Sequence, residues 1–154
     1  MTDISGTIGL TITRLLPATP EEVFDVYTDA EKQKMWFSIL AAEPGIVENE
    51  ADFRVGGEQT AVWGPNRDAL FRETQVFRVI DRPHRLVTTS TGSSPDGNTM
   101  TTEIEITFEE QDGDTLMTVV QSGFSNAEIR DFFNMQAWVG AFDRIEAYLT
   151  HTSR

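Results

Sequence analysis

The chain has 154 residues, no cysteine, and 12 lysines and arginines against 25 aspartates and glutamates, which gives a formal net charge of −13. The absence of cysteine excludes disulfides, thiolate metal sites and a cysteine nucleophile. The acidity, with no basic stripe, argues against nucleic-acid and anionic-membrane partners. There is no apolar run of about 18 residues and no signal-peptide pattern, so we expect a cytoplasmic protein with one domain over residues 1–154.

The N-terminal part predicts one strand followed by two short helices. Residues 8–16 alternate in the manner of a strand. Thr19, followed by proline and two acids, predicts the start of a first helix. Thr28 and Glu31 repeat the capping-box pattern and predict a second helix that ends near Phe37.

The middle of the chain alternates with period two and is interrupted by glycine, proline, aspartate and asparagine. The Gly56-Gly57 pair is typical of a tight hairpin. Short, sequential connections favour an antiparallel meander over a parallel sheet. The predicted strands are residues 46–55, 59–63, 71–80, 85–91, 99–109 and 115–122.

The strand over 71–80 has two possible registers. One places Phe71, Glu73 and Gln75 on the inner face of the sheet, and the other leaves Glu73 in solvent. A bulge near Arg78 would also bring Val79 inward.

The C-terminal 29 residues predict one long amphipathic helix that Ser125 caps together with Glu128. A strand-rich chain needs such a helix to cover one face of its sheet. We therefore predict an α+β helix-grip fold, in which a curved antiparallel sheet of about seven strands wraps around this helix and can leave a cavity beneath it. The apolar positions of the helix recur at Phe132, Met135, Trp138, Phe142, Ile145 and Tyr148.

Several segments resemble the activator of Hsp90 ATPase homology family, within the START/Bet v-like (SRPBCC) superfamily. The resemblance implies the helix-grip fold, and its members include small-ligand carriers, polyketide cyclases and aromatases, and chaperone-binding modules. Ala137 and Phe142 depart from the glycine and leucine usual in the family, and both add bulk between helix and sheet. The matching segments are Thr13–Phe24, Tyr27–Glu31 with Trp36, Asp52–Gly57, Val79–Val87, Thr115–Phe124 and Ala137–Leu149.

The aromatic side chains, together with a few polar ones, predict a site for a small hydrophobic or amphipathic molecule between sheet and helix. Each ring is equally compatible with simple core packing. Ser90 is a further candidate for a hydrogen bond to a ligand. The predicted ligand-binding residues are Trp36, Phe37, Phe53, Trp63, Phe71, Glu73, Gln75, Thr88, Thr102, Trp138 and Phe142.

Two other functions stay open. A buried Glu73 would serve a cofactor-free enzyme of the cyclase, aromatase or hydrolase kind as an acid or base. The second open function is that of a protein-interaction module resembling the chaperone activator. A homodimer is also compatible with the sequence. His84 and His151 lack partners at motif spacing, and no nucleotide-binding motif occurs, so we expect neither a metal nor a cofactor.

Overall fold

A computed structural model describes residues 8–38, 46–64 and 67–152, without the side chains of residues 37–38, 46–47 and 151–152. Seven strands and four α-helices follow one another along it, with one π-helical turn at Phe133–Ala137. The elements are β1 Ile8–Leu16, α1 Pro20–Thr28, α2 Ala30–Ser38, β2 Ile46–Ala51, β3 Glu58–Gly64, β4 Phe71–Asp81, β5 Arg85–Ser93, β6 Thr99–Gln111, β7 Asp114–Phe124, α3 Ala127–Phe132 and α4 Trp138–Thr152.

The strands form one antiparallel sheet in the order β1-β7-β6-β5-β4-β3-β2. From β2 to β7, each strand is hydrogen-bonded to the next strand along the chain, so these six strands form the predicted meander. β1 lies beside β7 because α1 and α2 carry the chain across to the opposite edge of the sheet. The predicted helix-grip architecture is confirmed, with two short helices after β1 and a long C-terminal helix.

The two short helices begin with side-chain caps. Thr19 and Glu22 form the predicted capping box at the start of α1. The prediction for α2 is wrong by one residue: Asp29, and not Thr28, accepts hydrogen bonds from the backbone N–H groups of Glu31 and Lys32. The Thr28 hydroxyl instead donates to the Phe24 carbonyl of the preceding turn.

The connection after β2 is longer than the tight hairpin predicted around its two glycines. β2 ends at Ala51, and a loop leads to β3. Gly56 has φ of +85°, and a Cβ on Gly57 would lie 2.1 Å from the Asp52 carbonyl oxygen. Both glycines are therefore required by the loop. Gly56 N–H donates to the Phe77 carbonyl, which ties this loop to β4.

A bulge interrupts β4 at Arg78, as predicted, because the pairing with β5 shifts between Phe77 and Val79. Its consequence differs from the prediction: Ile80 packs against the core, and Val79 is not part of that cluster. The extra residue reverses the alternation, so the second residue after the bulge is the one that returns to the inner face.

The C-terminal helix is not one uniform α-helix. Asn126, and not Ser125, is its N-cap, since its side chain accepts a hydrogen bond from the Ile129 N–H. Phe132 and Met135, predicted on the buried stripe, are 51% and 69% exposed. The π-helical turn explains this result, because one extra residue rotates the following side chains by about 100°. From Trp138 onward the predicted stripe is buried.

Candidate functional site

The inner face of the sheet has an apolar end and a polar end. The apolar end carries Phe77, Leu86, Ile104 and Ile106, which belong to the main core. At the other end, polar side chains lie on neighbouring strands, and the pairing sets three of them in one row: Gln75 opposite Ser90, and Ser90 opposite Thr102. The complete polar patch consists of Gln59, Glu73, Gln75, Thr88, Ser90, Thr102 and Gln121.

Glu73 is the acid within this polar patch. Its Oε2 atom accepts a hydrogen bond of 2.6 Å from the Ser90 hydroxyl. The Gln75 side chain is also hydrogen-bonded to the Glu73 carboxyl. Burial raises the pKa of the Glu73 carboxyl, and these two hydrogen bonds offset part of that rise. Glu73 forms no ion pair with any residue that the structure describes, and it keeps part of its surface accessible.

A stack of three aromatic rings lies over the sheet. Tyr27 of α1 is sandwiched between Trp36 of α2, at 6.5 Å between ring centroids, and Trp138 of α4, at 6.3 Å. The Tyr27 side chain is 8% exposed, and its hydroxyl makes no hydrogen bond within the described part of the chain. Burial, together with the charge of Glu73, raises the pKa of the Tyr27 phenol.

The two tryptophans of the stack are held by their indole N–H groups. Trp36 Nε1 donates to the Val26 carbonyl at 2.9 Å. Trp138 Nε1 donates to Gln121 Oε1 at 2.8 Å, and Gln121 Nε2 donates in turn to the Thr102 hydroxyl at 2.8 Å. This chain of hydrogen bonds joins α4 to β7 and β6.

A second ring pair lies at the open end of the polar patch. Trp63 and Phe71 are opposite each other on β3 and β4 and stack at 5.9 Å with 12° between their planes. Phe71 is 40% exposed. Ala61 and Glu73 form the next inward pair along the same two strands, so the ring pair lies beside the carboxylate.

The model of the Activator of Hsp90 ATPase homolog 1-like protein family matches residues 17–150. The chain belongs to this family. Its helix-grip fold is one that commonly binds ligands. A comparison with curated proteins found no match.

Solved structures of the same fold come from several bacteria. A protein from Rhizobium leguminosarum has a TM-score of 0.78 at 19% identity, over 94% of this chain and 95% of that one. Protein CV1439 from Chromobacterium violaceum has a TM-score of 0.76 at 18% identity, with 90% and 95% covered. Protein Ms6760 from Mycobacterium smegmatis has a TM-score of 0.73 at 26% identity, with 94% and 92% covered.

The predicted site residues of this family member fall into three groups. Glu73, Gln75, Thr88 and Thr102 lie together in the polar patch, with Trp63 and Phe71 beside them, and Thr88 donates to Gln75 at 2.8 Å. The inward register of β4 is therefore the one adopted. Trp36, Trp138 and Phe142 are buried in the core cluster. Phe53 packs edge-on against Phe77 and is 41% exposed, and the side chain of Phe37 lies outside the described residues.

Phe142 is fully buried and lies under a cation. The Arg14 guanidinium is 5.4 Å from the centroid of its ring and also pairs with Asp143 and Glu146 on α4. Phe142 therefore joins β1 to α4.

Sequence reasoning did not select three residues that the structure brings to this region. The sequence predicts Tyr27 only for the apolar face of the first helix and for the family resemblance, and it predicts no site role for Gln33 or Gln121. The Gln33 side chain of α2 donates a hydrogen bond to the Tyr27 carbonyl. It also accepts hydrogen bonds from the buried side-chain amides of Asn49 and Gln59. The available signal for Gln59 and Gln121 was their inward phase on strands whose inward residues are mostly apolar.

Other surface features lie away from the polar patch. A depression of about 650 Å³ is bordered by Pro20, Pro83, His84 and Phe108, and another of about 460 Å³ by Asp25, Lys32, Phe53 and Arg82. Within residues 8–38, 46–64 and 67–152 there is no cluster of three or more potential metal ligands. No helix in that same part of the chain is long and apolar enough to cross a membrane.

Proposed function

We propose that this protein binds a small amphipathic molecule between the polar patch of its sheet and the helices that cover it. The observation that supports the proposal best is Glu73, a carboxyl with uncharged hydrogen-bond partners beside the partly exposed Trp63–Phe71 pair. Burying an acid without a cationic partner costs stability, so a protein that retains one has a use for it.

The arrangement has the composition of a ligand site. Such sites are mostly apolar and contain a few placed polar groups that orient the ligand. Here the stacked rings supply flat apolar surface, and Ser90 and Gln75 hold the carboxyl of Glu73 in one orientation. We expect the apolar body of the ligand to contact Trp63 and Phe71 and its polar group to reach Glu73.

Binding of the uncharged dye Nile red tests this proposal. The Phe71→Ala variant should weaken saturable dye binding severalfold, because it removes half of the ring pair. Val120→Ala is the matched control, since Val120 is an apolar side chain with the same 40% exposure on β7. The absence of saturable binding by the wild-type chain would refute the proposal, as would an equal loss in both variants.

The same carboxyl favours a second candidate function, a cofactor-free enzyme with Glu73 as general acid. A raised pKa keeps the proton on the carboxyl closer to neutral pH, which general acid catalysis requires. The test is hydrolysis or cyclisation of a panel of aryl esters and aromatic polyketide precursors. Glu73→Gln should abolish any turnover and the exposed Glu103→Gln should not; equal rates in both variants would exclude the role.

A further inference from the structure

We propose that the polar group of the ligand is a positively charged nitrogen, an amine or amidinium attached to an apolar body, which pairs with Glu73 and lies against the Trp63–Phe71 rings. This inference rests on the proposed function and specifies the class of ligand.

The first argument is that Glu73 has no positively charged partner among the described residues. The ion pairs between described residues use other acids, and the partners that the structure gives Glu73 are the neutral Ser90 and Gln75. The internal segments 39–45 and 65–66 contain no lysine or arginine that could supply the charge. A ligand that brings a positive charge would complete the pair and offset the cost of burying the carboxylate.

The second argument is the Tyr27 hydroxyl. It is buried and makes no hydrogen bond in the described part of the chain, although buried hydroxyls nearly always have a partner. The charge of Glu73 contributes to the raised pKa of this phenol. An ionised carboxylate is an acceptor only, and a phenol oxygen can also accept. An ammonium group offers three donors and no acceptor, so it can donate to either oxygen.

The third argument is the position of the ring pair. Phe71 is two residues from Glu73 on the same face of β4, a separation of about 7 Å along a strand. A cation bound to the carboxylate can therefore lie within about 6 Å of a ring centroid, the range of a cation–π interaction. The net charge of −13 also attracts cations and repels anions in solution.

Charge pairing makes binding depend on pH in a defined direction. A cationic ligand binds the ionised form of Glu73, so its affinity should rise as pH increases through the pKa of that carboxyl. Tyr27 is the titratable group of the covering helices whose pKa the charge of Glu73 affects, and the flanking strands present the uncharged Ala61, Ser90 and Gly92. Tyr27 stays neutral at these pH values because its pKa is raised.

Two probes of equal size separate charge from apolar contact: 2-naphthylmethylamine and the neutral 2-naphthylmethanol. Calorimetric titration of the wild-type chain at pH 7 should show at least about tenfold tighter binding of the amine. Glu73→Gln should remove this preference, because the amine loses a charge pair that the alcohol does not make, and Glu103→Gln, on the outer face of β6, should retain it. Tyr27→Phe should weaken the amine severalfold more than the alcohol.

The affinity of the amine should rise with pH above the ordinary glutamate pKa of 4.5, whereas that of the alcohol should not. Equal binding of amine and alcohol by the wild-type chain would overturn the inference and leave the proposed function intact. A preference for the amine that survives in Glu73→Gln would overturn it as well. Failure of both probes to bind the wild-type chain would refute the inference and count against the proposed function.

Discussion

The Ser90 hydroxyl donates a hydrogen bond of 2.6 Å to Oε2 of Glu73, and together these residues link β5 to β4 on the inner face of the sheet. The bond orients a carboxyl whose pKa is raised by burial. It also shows which way β4 faces, since the opposite register would place Glu73 in solvent. Glu73 belongs to the polar patch because β4 adopts this register.

Glu73→Gln should change how stability depends on pH. Because the pKa of Glu73 is raised above its ordinary value of 4.5, the native state holds the proton more tightly than the unfolded chain. The stability that this supplies is fully present below about pH 4.5 and is lost as pH rises through the native pKa. Glutamine carries no charge, so the variant should have a higher Tm than wild type at pH 8 and nearly the same Tm at pH 4.

Thermal unfolding at pH 4, 6 and 8 measures this effect, and a rise of at least about 2 °C at pH 8 is expected, since about 1 kcal/mol corresponds to 2–4 °C at this chain length. Glu103→Gln serves as the control because its side chain is exposed on β6. A Tm difference that is the same at pH 4 and pH 8 would contradict the assignment of a raised pKa.

Gln121→Leu should destabilise the protein through unsatisfied polar groups. Gln121 is 2% exposed and bridges the Trp138 indole to the Thr102 hydroxyl. Leucine would leave both groups unpaired, and each buried unpaired group costs about 1–3 kcal/mol. Urea denaturation should show that part of the loss is recovered when Thr102→Val is added, because the unpaired hydroxyl is then gone; a strictly additive double variant would argue against the bridge.

Phe142→Ala and Phe132→Ala should differ sharply, although both rings lie on the stripe predicted from sequence. Phe142 is fully buried, and its removal should cost about 3–5 kcal/mol. Phe132 is 51% exposed because of the π-helical turn, so its removal should cost less than about 1 kcal/mol. The free energy of unfolding in urea checks the pair, and similar losses would mean that the helix keeps one uniform phase.

Asn126→Ala should weaken the C-terminal helix, and Ser125→Ala should not. Asn126 caps α3 by accepting from the Ile129 N–H at 2.8 Å, and loss of an N-cap costs about 1 kcal/mol. Ser125 is exposed and lies one residue before the cap. Hydrogen exchange of the amides in the first turn gives a local readout besides Tm. Greater loss of protection in Ser125→Ala would assign the cap to the serine.

Much of the fold could be predicted because its signals are local. Alternation along β6 predicted one buried and one exposed face, and Thr19 with Glu22 predicted the start of α1. The errors were also local in origin. A capping pattern can be satisfied by adjacent residues, so Asp29 and Asn126 replaced the predicted Thr28 and Ser125.

The candidate site was less predictable, because its residues meet only through long-range pairing. Glu73 and Gln75 could be named from one of two registers, but alternation alone cannot choose between two mixed faces. Tyr27, whose pKa the charge of Glu73 affects, comes from a helix far away in sequence, and no local pattern marks that interaction. The π-helical turn likewise left no signal that separates Phe132 from Phe142.

The amino-acid sequence by itself determined the order of the elements, the meander and the covering helix, because periodicity, capping and turn chemistry act between near neighbours. Tertiary structure alone decided that β4 turns Glu73 inward, that Tyr27 stacks between Trp36 and Trp138, and that the helix changes phase before Trp138. The physical reason is that burial and packing between distant segments select one arrangement among several that are locally equal.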